Sequence, residues 1–438
     1  MKTTILILLA CLGPAFATAL GSAAASMLDG QWLEFATTGF DWDLIYKDVN
    51  NETGSTPNTA YGNRLTWDPG TRTIPFLGLG HYRAWKFMHY TDETNAWTGD
   101  PNLPDTCMFT GGSCICHPYN NGTVNTDSSI FYFLQCSEAW DPELNKLYRY
   151  DIRQGTWTVH AVPAGYNMSY GYCLTYFPEL NALIQLKQQS LNMMSLATGA
   201  WSHLTVPAPG IPGVSYHQCM AYSAARKKMV FGGGQLYRDP GPDSNFNYIF
   251  EMDTDRTVAR LPDAPSPFCV EDATLTSDPV TGDVLLLGMD NELYSLDLVS
   301  RTWTKHTDRK PPFTEQALAA PVDNYGVVLF MVPDLLKVYL YRHAGSSPAE
   351  VRDRASGAAL RASPNPFNAS TLIRYSLPAG NGGSLSLFNV RGAKILQVEL
   401  HGPCGQFFWE PGPLPNGVYV ARLAHGTAVI ERRLTLVK

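Results

Sequence analysis

Four times along this chain a tryptophan falls seven residues after an apolar or aromatic residue, with a polar turn between the two. The copies are Tyr90-Thr-Asp-Glu-Thr-Asn-Ala-Trp97, Tyr150-Asp-Ile-Arg-Gln-Gly-Thr-Trp157, Met194-Ser-Leu-Ala-Thr-Gly-Ala-Trp201 and Leu296-Asp-Leu-Val-Ser-Arg-Thr-Trp303. A fifth begins at Phe250-Glu-Met-Asp253, with Val258 or Ala259 in the place of the tryptophan. Taking Ala259, the copies recur every 44 to 60 residues. Such a period marks a chain built from repeated supersecondary units, each too small to bury its own apolar face and stable only against its neighbours. Each copy reads as strand, turn, strand.

The segments that open each unit agree. Leu65-Thr-Trp-Asp-Pro-Gly, Leu174-Thr-Tyr-Phe-Pro-Glu, Met220-Ala-Tyr-Ser-Ala-Ala and Ala273-Thr-Leu-Thr-Ser-Asp-Pro lead through turns to apolar runs at 74–77, 182–186, 228–231 and 284–287. Val230-Phe231-Gly232-Gly233 ends one such run on a glycine pair, followed by a tyrosine-bearing strand. With the tryptophans, this resembles a kelch-type β-propeller over residues 31 to 343. The resemblance implies an all-β fold, a six-bladed kelch-like propeller in which glycines admit close backbones and Tyr and Trp fill the wedge between blades. The sixth unit, from Pro312-Phe313 to Arg342, lacks a tryptophan-bearing strand, and Gln31-Trp32-Leu33-Glu34-Phe35 is expected to supply it, closing the ring and removing an exposed edge. A seventh blade is the alternative if residues 41–49 hide a divergent copy.

The C-terminal stretch, 363–438, has a different character. It opens Ser-Pro364-Asn365-Pro366-Phe367-Asn368, continues Thr371-Leu-Ile-Arg-Tyr-Ser-Leu-Pro378, and contains Leu414-Pro415-Asn-Gly417-Val-Tyr419 before ending on Lys438. Alternation at Ile373, Tyr375 and Leu377 and again at Tyr419, Ala421 and Leu423 reads as a small antiparallel, immunoglobulin-like β-sandwich, with Asn416-Gly417 as a hairpin turn. These separated motifs, in this order, resemble the C-terminal sorting domain of the type IX secretion system. The resemblance implies delivery to the medium or the outer cell surface and the secretion machinery as a partner. Residues 344–362 read as a polar linker.

The N-terminus fits an exported chain. Met1-Lys-Thr-Thr, an apolar run from Ile5 to Leu12 and small-x-small sites at Ala15-Phe-Ala17, Ala17-Thr-Ala19 and Ala23-Ala-Ala25 read as a removable signal peptide, taken as residues 1–25. Leu8-Leu-Ala-Cys11 is a lipobox alternative.

Composition supports this class: 12% aromatic and 16% charged residues, with 37 Gly and 31 Pro, suit a strand-and-turn protein. A net charge of −7 gives no basic footprint, so no nucleic-acid partner is expected. Once Cys11 leaves with the leader, eight cysteines remain for a disulfide-permitting compartment.

Several clusters carry candidate chemistry. Ser169-Tyr170-Gly-Tyr172-Cys173-Leu-Thr-Tyr176 and Ser215-Tyr216-His217-Gln-Cys219-Met-Ala-Tyr222 share one pattern a unit apart, which makes Cys173 and Cys219 a candidate disulfide. Kelch propellers include copper-radical oxidases of the galactose oxidase type, whose metal needs two His, two Tyr and a cross-linked Cys. Here His217 lies near Tyr and Cys neighbours, but an equivalent second His is absent. Cys107, Cys114, Cys116 and His117 form a run able to hold zinc, or a loop pinned by disulfides that include Cys136. Glu271-Asp272 is a candidate acid pair. No cofactor is expected, with copper and zinc as the metal alternatives. Trp42, Tyr46, Tyr61, Tyr82, Trp85, Tyr119 and Trp140 lie in or beside loops; most are expected to pack between blades, and those left on one face with His81, Arg83 and Asp141 would form a contact surface. The expected binding residues are His81, Tyr82, Arg83, Tyr172, His217 and Glu271, and the expected ligand is an extracellular carbohydrate or protein. The alternative is an extracellular enzyme, a metal-dependent oxidase or a glycan-active protein, using the axial mouth.

Overall fold

The structure, a computed structural model, describes residues 18–54, 56–78, 85–103, 119–135, 146–163, 166, 173–187, 189–208, 210–211, 215–236, 246–343, 359–363, 367–368, 370–377, 383–400, 404–425 and 428–437. His81, Tyr82, Arg83, Tyr172, Cys107, Cys114, Cys116, His117, Pro364, Asn365, Pro366 and Lys438 lie outside the described residues. Two compact units emerge, one spanning Thr18–Ser346 and one containing Ser347–Lys438.

Among the described residues of the first unit, six antiparallel sheets of three or four strands follow one another along the chain, with a two-stranded pairing of Ser215–Tyr216 and Gln235–Leu236 besides. Sheet one holds Thr73–Gly78, Lys86–Thr91 and Ala96–Asp100; sheet two holds Gly122–Asn125, Ile130–Leu134, Lys146–Asp151 and Thr156–Ala161. Sheet three holds Cys173–Phe177, Ala182–Lys187, Ser190–Ser195 and Trp201–Leu204; sheet four holds Cys219–Ser223, Lys228–Gly232, Ile249–Met252 and Val258–Arg260. Sheet five holds Thr274–Ser277, Val284–Leu287, Leu293–Asp297 and Thr302–Lys305. Sheet six holds Leu318–Val322, Val327–Val332 and Lys337–Tyr341, and its outermost strand is Trp32–Glu34 from the other end of the unit. That last pairing is the expected closure: Trp32 faces Tyr341 and Glu34 faces Tyr339. The Trp32 ring packs on Phe313, Phe330 and Tyr341 while its indole N–H donates to the Arg309 carbonyl at 3.0 Å.

The seven-residue spacing has a simple cause. Tyr90 faces Trp97, Tyr150 faces Trp157, Met194 faces Trp201 and Leu296 faces Trp303 across the outer hairpin of each sheet. In sheet four the turn is shorter, so Met252 faces Val258, and Val258 rather than Ala259 takes the tryptophan's place. Gly232 approaches Tyr248 so closely that a Cβ there would stand 2.1 Å from its carbonyl oxygen, which is why glycine ends that strand.

The apolar core is divided among the gaps between consecutive sheets. Leu77 and Phe87 meet Val124, Phe131 and Tyr148 between sheets one and two, and Ile184 meets Phe231 and Phe250 between three and four. Leu285 and Leu293 meet Phe330 and Tyr341 between five and six. The succession closes: Leu65, Ile74 and Trp97 pack with Val322, Val327 and Leu340, and the Leu65 N–H donates to the Ala319 carbonyl at 2.8 Å. Four-stranded sheets stacked face to face in a closed succession are consistent with a β-propeller.

Two helices were not anticipated. Ala19–Ser26 falls inside the stretch expected to be removed, and Trp42–Tyr46 occupies the region considered for a seventh blade. Asp41 caps the second helix by accepting from the Leu44 N–H at 2.9 Å.

In the second unit, Ala359–Ser363, Thr371–Ser376 and Cys404–Trp409 form one sheet, and Lys394–Leu400, Gly383–Asn389, Gly417–His425 and Ala428–Leu436 form another in that order. Both sheets contribute to one core that includes Ile373, Tyr375, Leu387, Tyr419 and Leu434. The motif residues are structural here. Phe367 is buried against Trp409 and exchanges backbone hydrogen bonds with Thr435 and Val437, and the Tyr419 hydroxyl donates to the Pro415 carbonyl at 2.6 Å. Leu414 packs on the same core and Asn368 is exposed. Asn416-Gly417 does not close a two-residue hairpin: the strand before it belongs to the other sheet, and Gly417 begins a crossing strand with φ of 151°. Asn389 opens a turn by accepting from the amides of Arg391 and Ala393, both at 3.0 Å.

Candidate functional site

The first strands of sheets two to six run side by side around a shared axis, and residues 64–67, which lead into sheet one, take the remaining place beside sheet six. Parallel bridges join Asn120 to Cys173 and Arg64 to Ala319, and side chains stitch the remaining neighbours: Thr123 accepts from the Tyr176 N–H, Ser277 donates to the Tyr222 carbonyl, and Thr274 donates to the Ala317 carbonyl. Three layers of polar groups follow one another along these strands.

The first layer precedes the strands. Tyr61, Tyr119 and His217 sit there in the left-handed backbone region, with φ of 61°, 40° and 55°. Such conformations are costly for non-glycine residues and cluster at functional or tightly determined positions. The His217 ring lies 5.7 Å from Tyr61 and 5.2 Å from Tyr119. Its Nδ1 is 2.9 Å from Glu271 Oε1 and 2.7 Å from the Gln235 amide, so this nitrogen either donates to the carboxylate or accepts from the amide. Burial holds the His217 pKa below its usual value against the pull of Glu271, so the ring is neutral near pH 7. Burial and the Glu271 charge raise Tyr61.

Of the sequence-based binding residues, His217 and Glu271 are therefore in direct contact. Glu271 and Asp272 have different partners: Glu271 turns to His217, while Asp272 accepts from the Cys269 thiol at 3.4 Å. Trp85 and Tyr119, read from the sequence as loop aromatics, are each only 2% exposed. Trp85 packs on Phe133 and Tyr148. Trp42 does remain half exposed, its ring stacked 3.9 Å from that of Tyr46.

The second layer is a hydrogen-bonded plug. Asn63 donates to the Ala273 carbonyl at 2.7 Å and to Cys219 Sγ at 3.2 Å, and accepts from Asn120 at 2.7 Å. Cys173 donates to the Gln218 carbonyl at 2.9 Å. The disulfide expected between Cys173 and Cys219 is not formed. Both are free, fully buried thiols, each committed to a hydrogen bond of its own. Burial pushes Cys173 up to about 12 and raises Cys219 as well, so both are protonated thiols at physiological pH. Among the described residues no group of three or more His, Cys, Asp or Glu is placed to hold a metal ion.

Arg64 is the centre of the plug, and the sequence pattern gave it no role. Its guanidinium donates to the carbonyls of Met220 at 3.0 Å, Asn120 at 2.8 Å and Gly122 at 2.9 Å, and also to the Leu174 carbonyl and the Thr175 hydroxyl. One side chain from the start of sheet one thus ties sheets two, three and four around the axis. Burial lowers its pKa to about 10, which leaves it charged at physiological pH.

The third layer is a cavity of about 220 Å³ lined by residues 64–67, which lead into sheet one, and by the later parts of the first strands of sheets two to six with the turns that follow them. Arg64 forms its floor. Trp67, Tyr176 and Tyr222 contribute aromatic walls, and Thr66, Thr175 and Thr276 contribute hydroxyls. At the rim the Tyr176 hydroxyl donates to Asp127 at 2.8 Å, the Tyr222 hydroxyl to Glu179 at 2.8 Å, and the Trp67 indole to Asn324 at 2.7 Å. The Thr276 hydroxyl is buried without a hydrogen-bond partner. A buried orphan hydroxyl costs roughly 1–3 kcal/mol.

No family model matches this chain, and no curated protein matches it. Solved structures with β-propeller-like folds are similar to it. An auxiliary nutrient binding protein from Bacteroides ovatus is 10% identical, with 70% of this chain and 75% of that one covered at a TM-score of 0.45. YjhT is 12% identical, with 62% and 90% covered at 0.39, and an oligogalacturonate lyase in complex with manganese is 13% identical, with 72% and 98% covered at 0.38. Likeness at this level assigns no ligand and no activity.

Proposed function

We propose that this chain is an exported protein whose six-bladed, kelch-like β-propeller binds an extracellular carbohydrate in its axial cavity, and whose C-terminal immunoglobulin-like domain is a type IX sorting signal. The cavity carries the ligand reading. It gathers aromatic side chains, hydroxyls and rim carboxylates around one axis from sheets two to six and from the segment that leads into sheet one. Aromatic faces stack on the apolar side of sugar rings, while hydroxyls and carboxylates match a ring of alternating donors and acceptors. At about 220 Å³ the cavity is smaller than the roughly 300–1,000 Å³ typical of drug-sized sites, which suits one sugar ring with the rest of a glycan outside. A protein partner would need a broader surface than this opening provides. The sorting reading rests on the ordered C-terminal motifs.

A glycan array probed with the full mature chain and with Thr276→Phe tests the ligand. Retention of defined glycans by the native chain and their loss on filling the cavity is the expected result. No retained glycan, or equal retention by the variant, would reject the axial carbohydrate site.

A further inference from the structure

The sequence offers three places at which a leader could be cut, after Ala17, after Ala19 or after Ala25, each with small residues at the two positions a signal peptidase reads. The structure separates them. The helix Ala19–Ser26 is part of the fold: Leu20 is 0% exposed and Ala24 1% exposed, and both belong to the core shared by sheets six and one. Thr18 is its N-cap, accepting from the Gly21 N–H at 3.1 Å, and its hydroxyl lies 3.1 Å from that of Tyr325. The Tyr325 hydroxyl in turn donates to the buried Asp92. Arg342, itself buried, donates from Nη2 to the Ala24 carbonyl at 2.6 Å, and a Cβ on Gly21 would press on the Tyr325 ring at 3.0 Å.

We infer that the leader is removed between Ala17 and Thr18, so that the mature chain begins at the cap of this helix; this rests on the export reading above. Cutting after Ala25 would take away Leu20, Ala24 and the cap, leaving an apolar hole beside Tyr325 and a buried Arg342 donor without its carbonyl. Cutting after Ala19 would remove the cap and its bond to Tyr325. Cutting after Ala17 keeps the Thr18 cap, Leu20 and Ala24 in the mature chain. The reaction is hydrolysis by a signal peptidase: water adds across the Ala17–Thr18 peptide bond, Ala17 leaves with the new carboxylate, and Thr18 keeps the new α-ammonium. The Asp92 carboxylate, linked to Thr18 through Tyr325, places a negative charge close to that new cation.

The test is to express the whole gene product with its own leader in a Gram-negative host, purify the exported protein and identify its first residue by N-terminal peptide mass mapping. Thr18 as the first residue is the expected result. A start at Leu20 or Ser26, or a lipidated Cys11, would overturn the inference while leaving export intact. A chain that keeps Met1 would overturn both. As a separate readout of the packing argument, chains made to start at Thr18 and at Ser26 should differ in melting temperature, and equal values would refute it.

Discussion

Replacing Arg64 by methionine is the perturbation that reaches furthest into this structure. The guanidinium serves four carbonyls and a hydroxyl contributed by sheets two, three and four and the segment leading into sheet two. Hydrogen bonds to a charged donor contribute about 1.5–3 kcal/mol each. Five of them more than offset a desolvation cost of several kcal/mol for the cation, and removing one partner of such a buried set costs about 3–5 kcal/mol net. Methionine fills much of the volume but supplies no donor, so the loss comes from the missing hydrogen bonds rather than from a void, and the Asn120 carbonyl keeps only its bond from the Leu174 N–H. At about 2.1 cal/mol/K per residue, the unit Thr18–Ser346 has an unfolding entropy on the order of 0.7 kcal/mol/K. The expected drop in melting temperature is therefore about 4–7 °C. Arg64→Lys, which keeps the charge but not the planar fork, should fall between the two. Differential scanning calorimetry of the three proteins decides it: an Arg64→Met chain melting within about 1 °C of the native one would refute the plug as a source of stability.

Three further outcomes are expected. A chain starting at Ser26 should be less stable than one starting at Thr18 by about 3–5 kcal/mol, since burying Leu20 alone is worth about 2–3 kcal/mol and the cap about 1 kcal/mol, as measured by urea denaturation. Burial and the neighbouring His343 lower the His306 pKa to about 4. Between about pH 6.5 and 4 the unfolded chain therefore holds a proton that the folded chain refuses, and stability falls as pH drops through that window. His306→Asn should show a smaller loss of melting temperature over the same range, and an unchanged loss would reject the assignment. Deleting residues 363–438 should leave the protein in the periplasm of a host with type IX machinery, where fractionation and blotting would show it; continued surface delivery would end the sorting reading.

What was legible in the sequence was periodic. The Trp-after-seven pattern could be read because a hairpin of fixed length places the two residues opposite each other, as Tyr150 and Trp157 are. The closing strand was legible because sheet six ran out of tryptophan-bearing sequence and Gln31–Phe35 had nowhere else to pair. The helix at Ala19–Ser26 was not, since an alanine-rich run satisfies both a peptidase and a helix, and only burial tells them apart. The plug was not legible either. Arg64 repeats with nothing, and its role arises from where the first strands of sheets two to six converge, a property of the ring rather than of any local pattern. The cysteine pair shows the reverse error: Cys173 and Cys219 share a motif, but a shared environment at the axis is served by two separately bonded thiols as well as by a bridge.

The most direct test of the account is to locate a bound glycan. A crystal structure of the mature chain grown with a glycan retained on the array should place one sugar ring in the axial cavity that Arg64, Trp67 and Tyr222 line. A glycan seated elsewhere, for example on the exposed Trp42 and Tyr46 stack with the axial cavity holding only water, would contradict the central claim.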